Sequence, residues 1–350
     1  MNVPARMRAQ RFYGPEDLRL ESVETPRIES GEVLIRTSHA GVCGTDVRIY
    51  RGTKRIAPPR IIGHEFAGTI ATVGSDIDAY REGDRVTVHP MLSCGECYAC
   101  RAGRPNICVH RTTLGYEIDG GFAEFIRIPA PFVAAGNIVP VPDGVETAIA
   151  GMAEPFAAAY HGIRQARITD GQLVVIVGAG PIGLGHVQMA TRAGARVVVV
   201  EPEEWKRRLA LELGAVEVID PRGGTTERVC LDMSEGAGAD TVIVDVGLPE
   251  VIEEALNLVK KGGRFVIFAG APVGSTITID PNRIHYREIE CTGSSSSTPA
   301  DLATVLDLVA KGELLLHELL TEILPIDRLV DALRNKGEYR VLKSVVETHA

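Results

Sequence analysis

The chain has 350 residues, 45% hydrophobic and 24% charged: an ordinary soluble composition, and a length that suggests two domains, each with room for a core. A net charge of −9 argues against nucleic acid or an anionic membrane as a partner, and no apolar run reaches the roughly 18 residues of a membrane span. Residues 1–14 hold arginines with no apolar stretch after them, so no signal peptide is expected. Four of the seven cysteines crowd into residues 94–108. That pattern does not suggest a disulfide framework; it points to metal and to a reducing, cytoplasmic compartment.

From about residue 9 to 149, short β-rich runs (32–37, 68–73, 85–88, 123–128) are separated by Gly-Asp, Pro-Asp-Gly and Gly-Gly steps. This texture predicts a small, irregular β-barrel-like domain with long functional loops. Inside it lie Cys43, in Gly41-Val42-Cys43-Gly44-Thr45-Asp46, and the pair His64-Glu65. Taken singly, the cysteine reads as a small buried hydrophobe and the His-Glu as a surface pair. Together with Glu154 they offer a soft ligand, an imidazole and carboxylates, which suits a catalytic zinc with one position left for substrate. The run Cys94-x2-Cys97-x2-Cys100-x7-Cys108 supplies four thiolates, enough to close a tetrahedral shell around a structural zinc. A bacterial iron–sulfur pattern places its fourth cysteine after three residues, before proline; here the gap is seven and Val109 follows. A nucleic-acid zinc ribbon conflicts with the acidic charge and with only Arg101, Arg104 and Arg111 nearby.

Near Glu154 the texture changes. Strand patterns at 174–177, 197–201, 217–219, 241–246, 264–268 and 288–292 alternate with helical ones at 182–193, 203–213, 225–234 and 250–260. Such alternation predicts a parallel, doubly wound sheet over about 153–294. The first strand runs into Gly178-Ala179-Gly180-Pro181-Ile182-Gly183, a G-x-G-x-x-G turn that opens a helix. Gly178 allows the turn, Gly180 lets a pyrophosphate approach, and Gly183 lets helix and strand pack closely. Phosphates then sit at the helix N-terminus beside Pro181 and Ile182. Glu201 follows 18 residues after Gly183, where a carboxylate accepts from an adenosine ribose and repels a 2′-phosphate; this predicts NAD rather than NADP. Lys206 joins the candidate cofactor residues, although Lys206-Arg207-Arg208 also reads as a solvated helix face. In the tail, Thr298-Pro299-Ala300-Asp301 starts a helix whose Leu302, Val305, Leu306 and Val309 form one core-facing stripe.

These features, in this order, resemble the zinc-dependent medium-chain alcohol dehydrogenases over nearly the whole chain. Gly63-His64-Glu65-x2-Gly68-x5-Gly74-x2-Ile77 is similar to the family's zinc signature. The resemblance implies an α/β protein with a GroES-like β-barrel catalytic domain over 1–155 carrying both zinc sites. It also implies a doubly wound parallel Rossmann domain over 156–294, binding NAD, and a C-terminal segment, 295–350, that returns to the catalytic domain. Glu154-Pro155 looks more like the polyol branch (sorbitol or iditol dehydrogenases); threonine dehydrogenases share the architecture.

By the same resemblance Cys43 and His64 are fixed zinc ligands, and Glu65 and Glu154 share the remaining protein position. Asp46 accepts from the far nitrogen of His64, and Thr45 hydrogen-bonds the substrate oxygen. Many members carry a relay histidine five residues after the zinc cysteine; this chain has Arg48, which does not deprotonate usefully. The expected activity is hydride transfer between NAD and a secondary alcohol of a small polyol or sugar-like substrate, with two zinc ions per chain. A threonine 3-dehydrogenase-like or other alcohol or cyclitol dehydrogenase is the alternative, and a non-catalytic NAD- and zinc-binding sensor is the reading from another class. A homodimer or homotetramer is expected, with the sheet edge near 288–292 as its interface. The loops 50–59 and 294–298, with Tyr116, are expected to line the pocket, although no motif there names an alcohol.

Overall fold

In the computed structural model, which describes residues 3–338 and 340–349, the chain forms two units. The first comprises the chain up to Pro155 with Thr298–Gly312 and the stretch from Leu316 onward; the second is Phe156–Ser297 with Glu313–Leu315.

The first unit is built on a seven-stranded sheet. Its strands run in the order Ile138–Pro140, Arg85–Val88, Glu65–Val73, Val33–Val42, Lys343–Glu347, Leu320–Pro325, with Phe125–Ile128 also paired to Val33–Val42. Val33–Val42 is central, and its burial is nearly continuous rather than alternating. Ile35, Val42, Phe66, Ile70, Val88, Ile126 and Val346 meet Leu329 and Leu333, from a helix near the C-terminus, in one core. Burying each such side chain contributes roughly 1.5–3 kcal/mol.

Register positions the site. Val33–Val42 and Glu65–Val73 are antiparallel, with Gly41 opposite Glu65, so Cys43 at the exit of one strand and His64 at the entrance of the other lie at the same end of the sheet. The C-terminal strand enters there too, with Ser344 opposite Val42. A chain separation of 301 residues, from Val42 to Lys343, is thereby closed next to the candidate ligands.

The second unit holds a six-stranded, all-parallel sheet: Glu217–Ile219, Arg196–Val200, Leu173–Val177, Ala239–Val244, Val259–Ile267, Glu290–Gly293. Numbered by chain position the order is 3-2-1-4-5-6, the doubly wound Rossmann order. Leu173–Val177 is buried throughout, as strands covered on both faces are. One expected element is shorter than its pattern. The helix anticipated over 250–260 ends at Ala255; after a single 3-10 turn, Val259 already pairs with Ala239 as the start of the next strand. A β-branched residue able to join a buried ladder there outweighs continuation of the helix. Among the described residues, no helix is long and apolar enough to cross a membrane.

Candidate metal centres and cofactor turn

Cys43, His64 and Glu65 each present a ligand atom, and these atoms all lie within 4.8 Å of one another. Cys43 is the N-cap of the helix Gly44–Tyr50. Its backbone N–H donates to Asp46 Oδ2 at 2.9 Å, and the other Asp46 oxygen faces His64 Nδ1 at 3.4 Å. One buried carboxylate thus braces the cysteine's backbone and faces the far side of the imidazole. Glu65 Oε2 accepts from the Lys343 ammonium, which also donates to the carbonyl of Val42 at 3.3 Å. Glu65 Oε1 is buried and has no hydrogen-bond partner among the described residues. An orphaned carboxylate oxygen beside a thiol and an imidazole fits a divalent cation.

The electrostatics agree. Burial works to lower the His64 imidazole pKa, but Tyr116, Asp46 and Cys43 outweigh it and hold it well above its usual value. Burial pushes the Glu154 carboxyl up to about 7, with Glu65 and Asp46 adding to the shift and His64 and Lys343 opposing it. Glu154 opens the helix Glu154–Ala166 and is not one of the three atoms grouped within 4.8 Å. The charge of Lys343 is reinforced as well: burial opposes it, while Glu65 and Cys43 raise its pKa. Thr45 lies in the first turn after Cys43, and its Oγ1 accepts from the Arg48 guanidinium at 3.0 Å. The Tyr116 ring stands 5.2 Å from the His64 ring, tilted by 58°.

In the second cluster the four sulfurs of Cys94, Cys97, Cys100 and Cys108 also fall within 4.8 Å of one another. Four of the Sγ–Sγ separations are 3.5, 3.5, 3.9 and 4.0 Å. Zn–S bonds of about 2.3 Å in a tetrahedron require sulfur edges of about 3.8 Å, so the lobe has the size of a zinc site. These separations are far too long for disulfides. Backbone hydrogen bonds at Cys100 and Val109 bring the Cys97 thiol down to about 6, while burial and hydrogen bonds from neighbouring thiols push Cys100 up to about 12.

In the second unit, Gly178 has φ +102°, and a Cβ there would lie 2.7 Å from Val246 Cγ2. A Cβ on Gly183 would collide with the carbonyl oxygen of Gly178, so strand end and helix start can touch only without it. Gly180 is different: nothing lies within 4 Å of where its Cβ would stand, which leaves the backbone open to a phosphate. Pro181 and Ile182 form the first turn of the helix Pro181–Arg192 that follows.

Glu201 sits just after Arg196–Val200, buried, and its two oxygens accept the backbone N–H groups of Ala179 at 2.8 Å and Glu203 at 3.0 Å. It therefore braces the glycine turn. Lys206 is half-buried, 5.5 Å from the Trp205 ring. The reading of Lys206-Arg207-Arg208 as a solvated face fails at Arg207. Its guanidinium donates to the carbonyls of Glu201 and Pro202 at 2.7 and 2.6 Å and pairs with Asp220 at 3.4 Å. Helical rotation turns Arg207 back toward the strand end while Arg208 pairs along the surface with Glu204.

Sequence reasoning missed Lys343, whose signal is a lone lysine leading a buried strand, and Lys54, whose signal is a basic run without acids. It also missed the buried pair of His186 and Asp245, joined at 2.8 Å below the glycine turn.

Known proteins share both halves. Residues 29–143 match the alcohol dehydrogenase GroES-like domain, and residues 181–311 match the zinc-binding dehydrogenase family. The chain is similar to L-galactonate-5-dehydrogenase of Escherichia coli K12, 33% identical over 318 residues and covering 91% of each chain. It is also similar to L-threonine 3-dehydrogenase of Caldanaerobacter subterraneus subsp. tengcongensis, 33% identical over 287 residues and covering 80% of each. The crystal structure of a zinc-binding dehydrogenase from Sinorhizobium meliloti 1021 bound to NADP superposes with a TM-score of 0.92 at 31% identity, covering 98% of this chain and all of that one. With sequence, fold and both glycine- and cysteine-bearing segments in agreement, the protein belongs to the zinc-dependent medium-chain alcohol dehydrogenase family, whose members are alcohol oxidoreductases.

Proposed function

We propose that the chain oxidises a secondary alcohol of a polyol or sugar-like substrate with NAD. The observation that carries this reading is the convergence of Cys43, His64 and Glu65 at the facing ends of two antiparallel strands. In it, Cys43 and His64 hold one zinc with Glu65 and Glu154 sharing a position, and Cys94, Cys97, Cys100 and Cys108 hold a second. Zinc in the first site supplies a Lewis acid that makes an alcohol oxygen more acidic, and NAD at the glycine turn supplies the hydride acceptor.

The chain's own groups orient the rest. Thr45 accepts from Arg48, so its own proton points away from the guanidinium and toward a substrate oxygen. The Arg48 guanidinium is a donor only, so it offers no acceptor through which a proton could leave. Gly178, Gly180 and Gly183, with Pro181 and Ile182, shape the dinucleotide cradle, and Lys206 flanks it. Glu201 supports NAD, whereas the Sinorhizobium relative is bound to NADP. Threonine is the second substrate reading, favoured by the similarity to the Caldanaerobacter enzyme. A cytoplasmic homo-oligomer completes the proposal: a reducing compartment keeps the thiols of the cysteine lobe free. The exposed edge strand Glu290–Gly293 offers unpaired backbone groups to a second copy, which light scattering of the purified protein tests.

The activity is tested by following reduced nicotinamide with NAD and a panel of polyols, cyclitols, sugars, threonine and simple alcohols, with and without a chelator. Chelator-sensitive turnover of a polyol or sugar group is expected. A silent panel, from protein shown to hold zinc and bind NAD, overturns the reading.

A further inference from the structure

Between Asp46 and Glu65 the sequence holds Arg48, Arg51, Lys54, Arg55 and Arg60 and no acidic residue, in a chain of net charge −9. Arg60 is paired with Asp119. Among the described residues, Arg48 and Lys54 have no carboxylate partner, nor does Arg111, whose guanidinium contacts the Met91 sulfur. The loop folds Lys54 back over the helix that carries Thr45 and Arg48: the Lys54 N–H donates to the Arg48 carbonyl at 3.0 Å, and the Thr53 hydroxyl reaches the same oxygen at 3.2 Å. The Lys54 ammonium then rests 3.4 Å from the centre of the Tyr116 ring, the ring that leans on His64. Its solvent shell is partly stripped by burial, and the positive charges of Arg48 and Arg111 bear on it more strongly than the negative charges of Asp46 and Glu117.

A half-buried ammonium with an aromatic face but no counter-ion is costly unless an anion arrives to pair with it. Position decides which anion. Lys54 is one aromatic ring away from the candidate metal ligand His64, and Arg48 touches the hydroxyl expected to face the reacting oxygen. We infer that Lys54, assisted by Arg48 and Arg111, is a substrate-specificity residue that pairs with a carboxylate, and that the alcohol oxidised here is carried on a sugar acid rather than on a neutral polyol. This rests on the alcohol dehydrogenase reading above and narrows it. Threonine carries the same carboxylate, but its ammonium meets the same cluster of cations, so an acid lacking that charge is preferred.

The test compares L-galactonate, galactitol, threonine and a hexitol phosphate in zinc-loaded enzyme with NAD. Steady-state kinetics are joined by calorimetric binding to the zinc- and NADH-loaded protein. The wild-type enzyme is expected to prefer the acid over its matching alditol by roughly ten- to a hundredfold in kcat/KM and in affinity, the range of one charge-assisted hydrogen bond. Lys54→Gln is expected to remove most of that preference through KM, and Lys54→Arg to keep it. Equal or better use of galactitol overturns the inference, and so does better use of the phosphate or threonine. It is also overturned by a Lys54→Gln ratio equal to wild type, or by a rise in KM confined to NAD, which would assign these cations to the dinucleotide's phosphates. If no alcohol is oxidised at all, the activity reading fails separately, while the calorimetry still decides the carboxylate site.

Discussion

Lys343→Met removes a single ammonium from the centre of the first unit. Lys343 is 2% exposed and Glu65 1%, so neither charge has water to fall back on. The ammonium serves one oxygen of Glu65 and the carbonyl of Val42, and the other oxygen of Glu65 has no partner among the described residues. Methionine fills much of the same volume, so the loss is electrostatic rather than a cavity. Leaving one member of a buried ion pair uncompensated costs about 3–5 kcal/mol. For a body of this size that corresponds to a fall of roughly 6–20 °C in the melting temperature.

The assay is thermal unfolding by circular dichroism at one fixed scan rate on chelator-treated protein, because the midpoint is rate-dependent if unfolding is irreversible. Glu65→Gln in the Lys343→Met background is expected to recover a large part of the loss, since it removes the stranded charge; the double-mutant cycle then reports the coupling. Zinc added to Lys343→Met is expected to recover part of it as well, by bringing positive charge to the same carboxylate. A single-variant shift below about 2 °C, or a double variant no more stable than the single, refutes the view that Lys343 neutralises Glu65.

Three further outcomes are expected. Cys100→Ser should lower zinc measured by elemental analysis by roughly one equivalent per chain, leaving the other site filled; unchanged content would rule out the four-sulfur site. Glu201→Ala removes acceptors for the N–H groups of Ala179 and Glu203, so KM for NAD should rise roughly tenfold or more and discrimination against NADP should narrow; a wild-type enzyme that favours NADP contradicts the assignment. Burial, then repulsion from Arg48 and Arg111, brings Lys54 down to about 8, against the pull of Asp46 and Glu117. Its charge is therefore present below that pH and lost above it. The ratio of KM for a sugar acid to KM for its alditol should climb as pH passes through about 8, and a flat ratio tells against Lys54 as the anion partner.

Contiguous residues encode the local features of this chain. The glycine turn lies within six residues, and its steric demands at Gly178 and Gly183 follow from the local path of the chain. The cysteine lobe is a 15-residue loop, and its spacing selects four thiols that the fold brings to tetrahedral separations. Apolar runs alternating with helical periods fixed a doubly wound parallel sheet and, with the zinc signature, the family. Where one element stops and the next starts was less readable, as Val259 shows, because helix and strand compete there and pairing with Ala239 settles it.

Tertiary structure alone decided the partners. Asp46 faces His64 because two antiparallel strands share a register, and Lys343 reaches Glu65 because the C-terminal strand joins the same sheet from nearly 300 residues away. Arg207 turns to the strand end rather than to solvent, and Lys54 is left above Tyr116 with no carboxylate partner among the described residues. Residue spacing specifies contacts within a turn or a short loop, where the chain has few ways to run. Contacts between distant segments depend on register and packing across the whole core, so which charge is paired and which is left for a ligand appears only once the core is assembled.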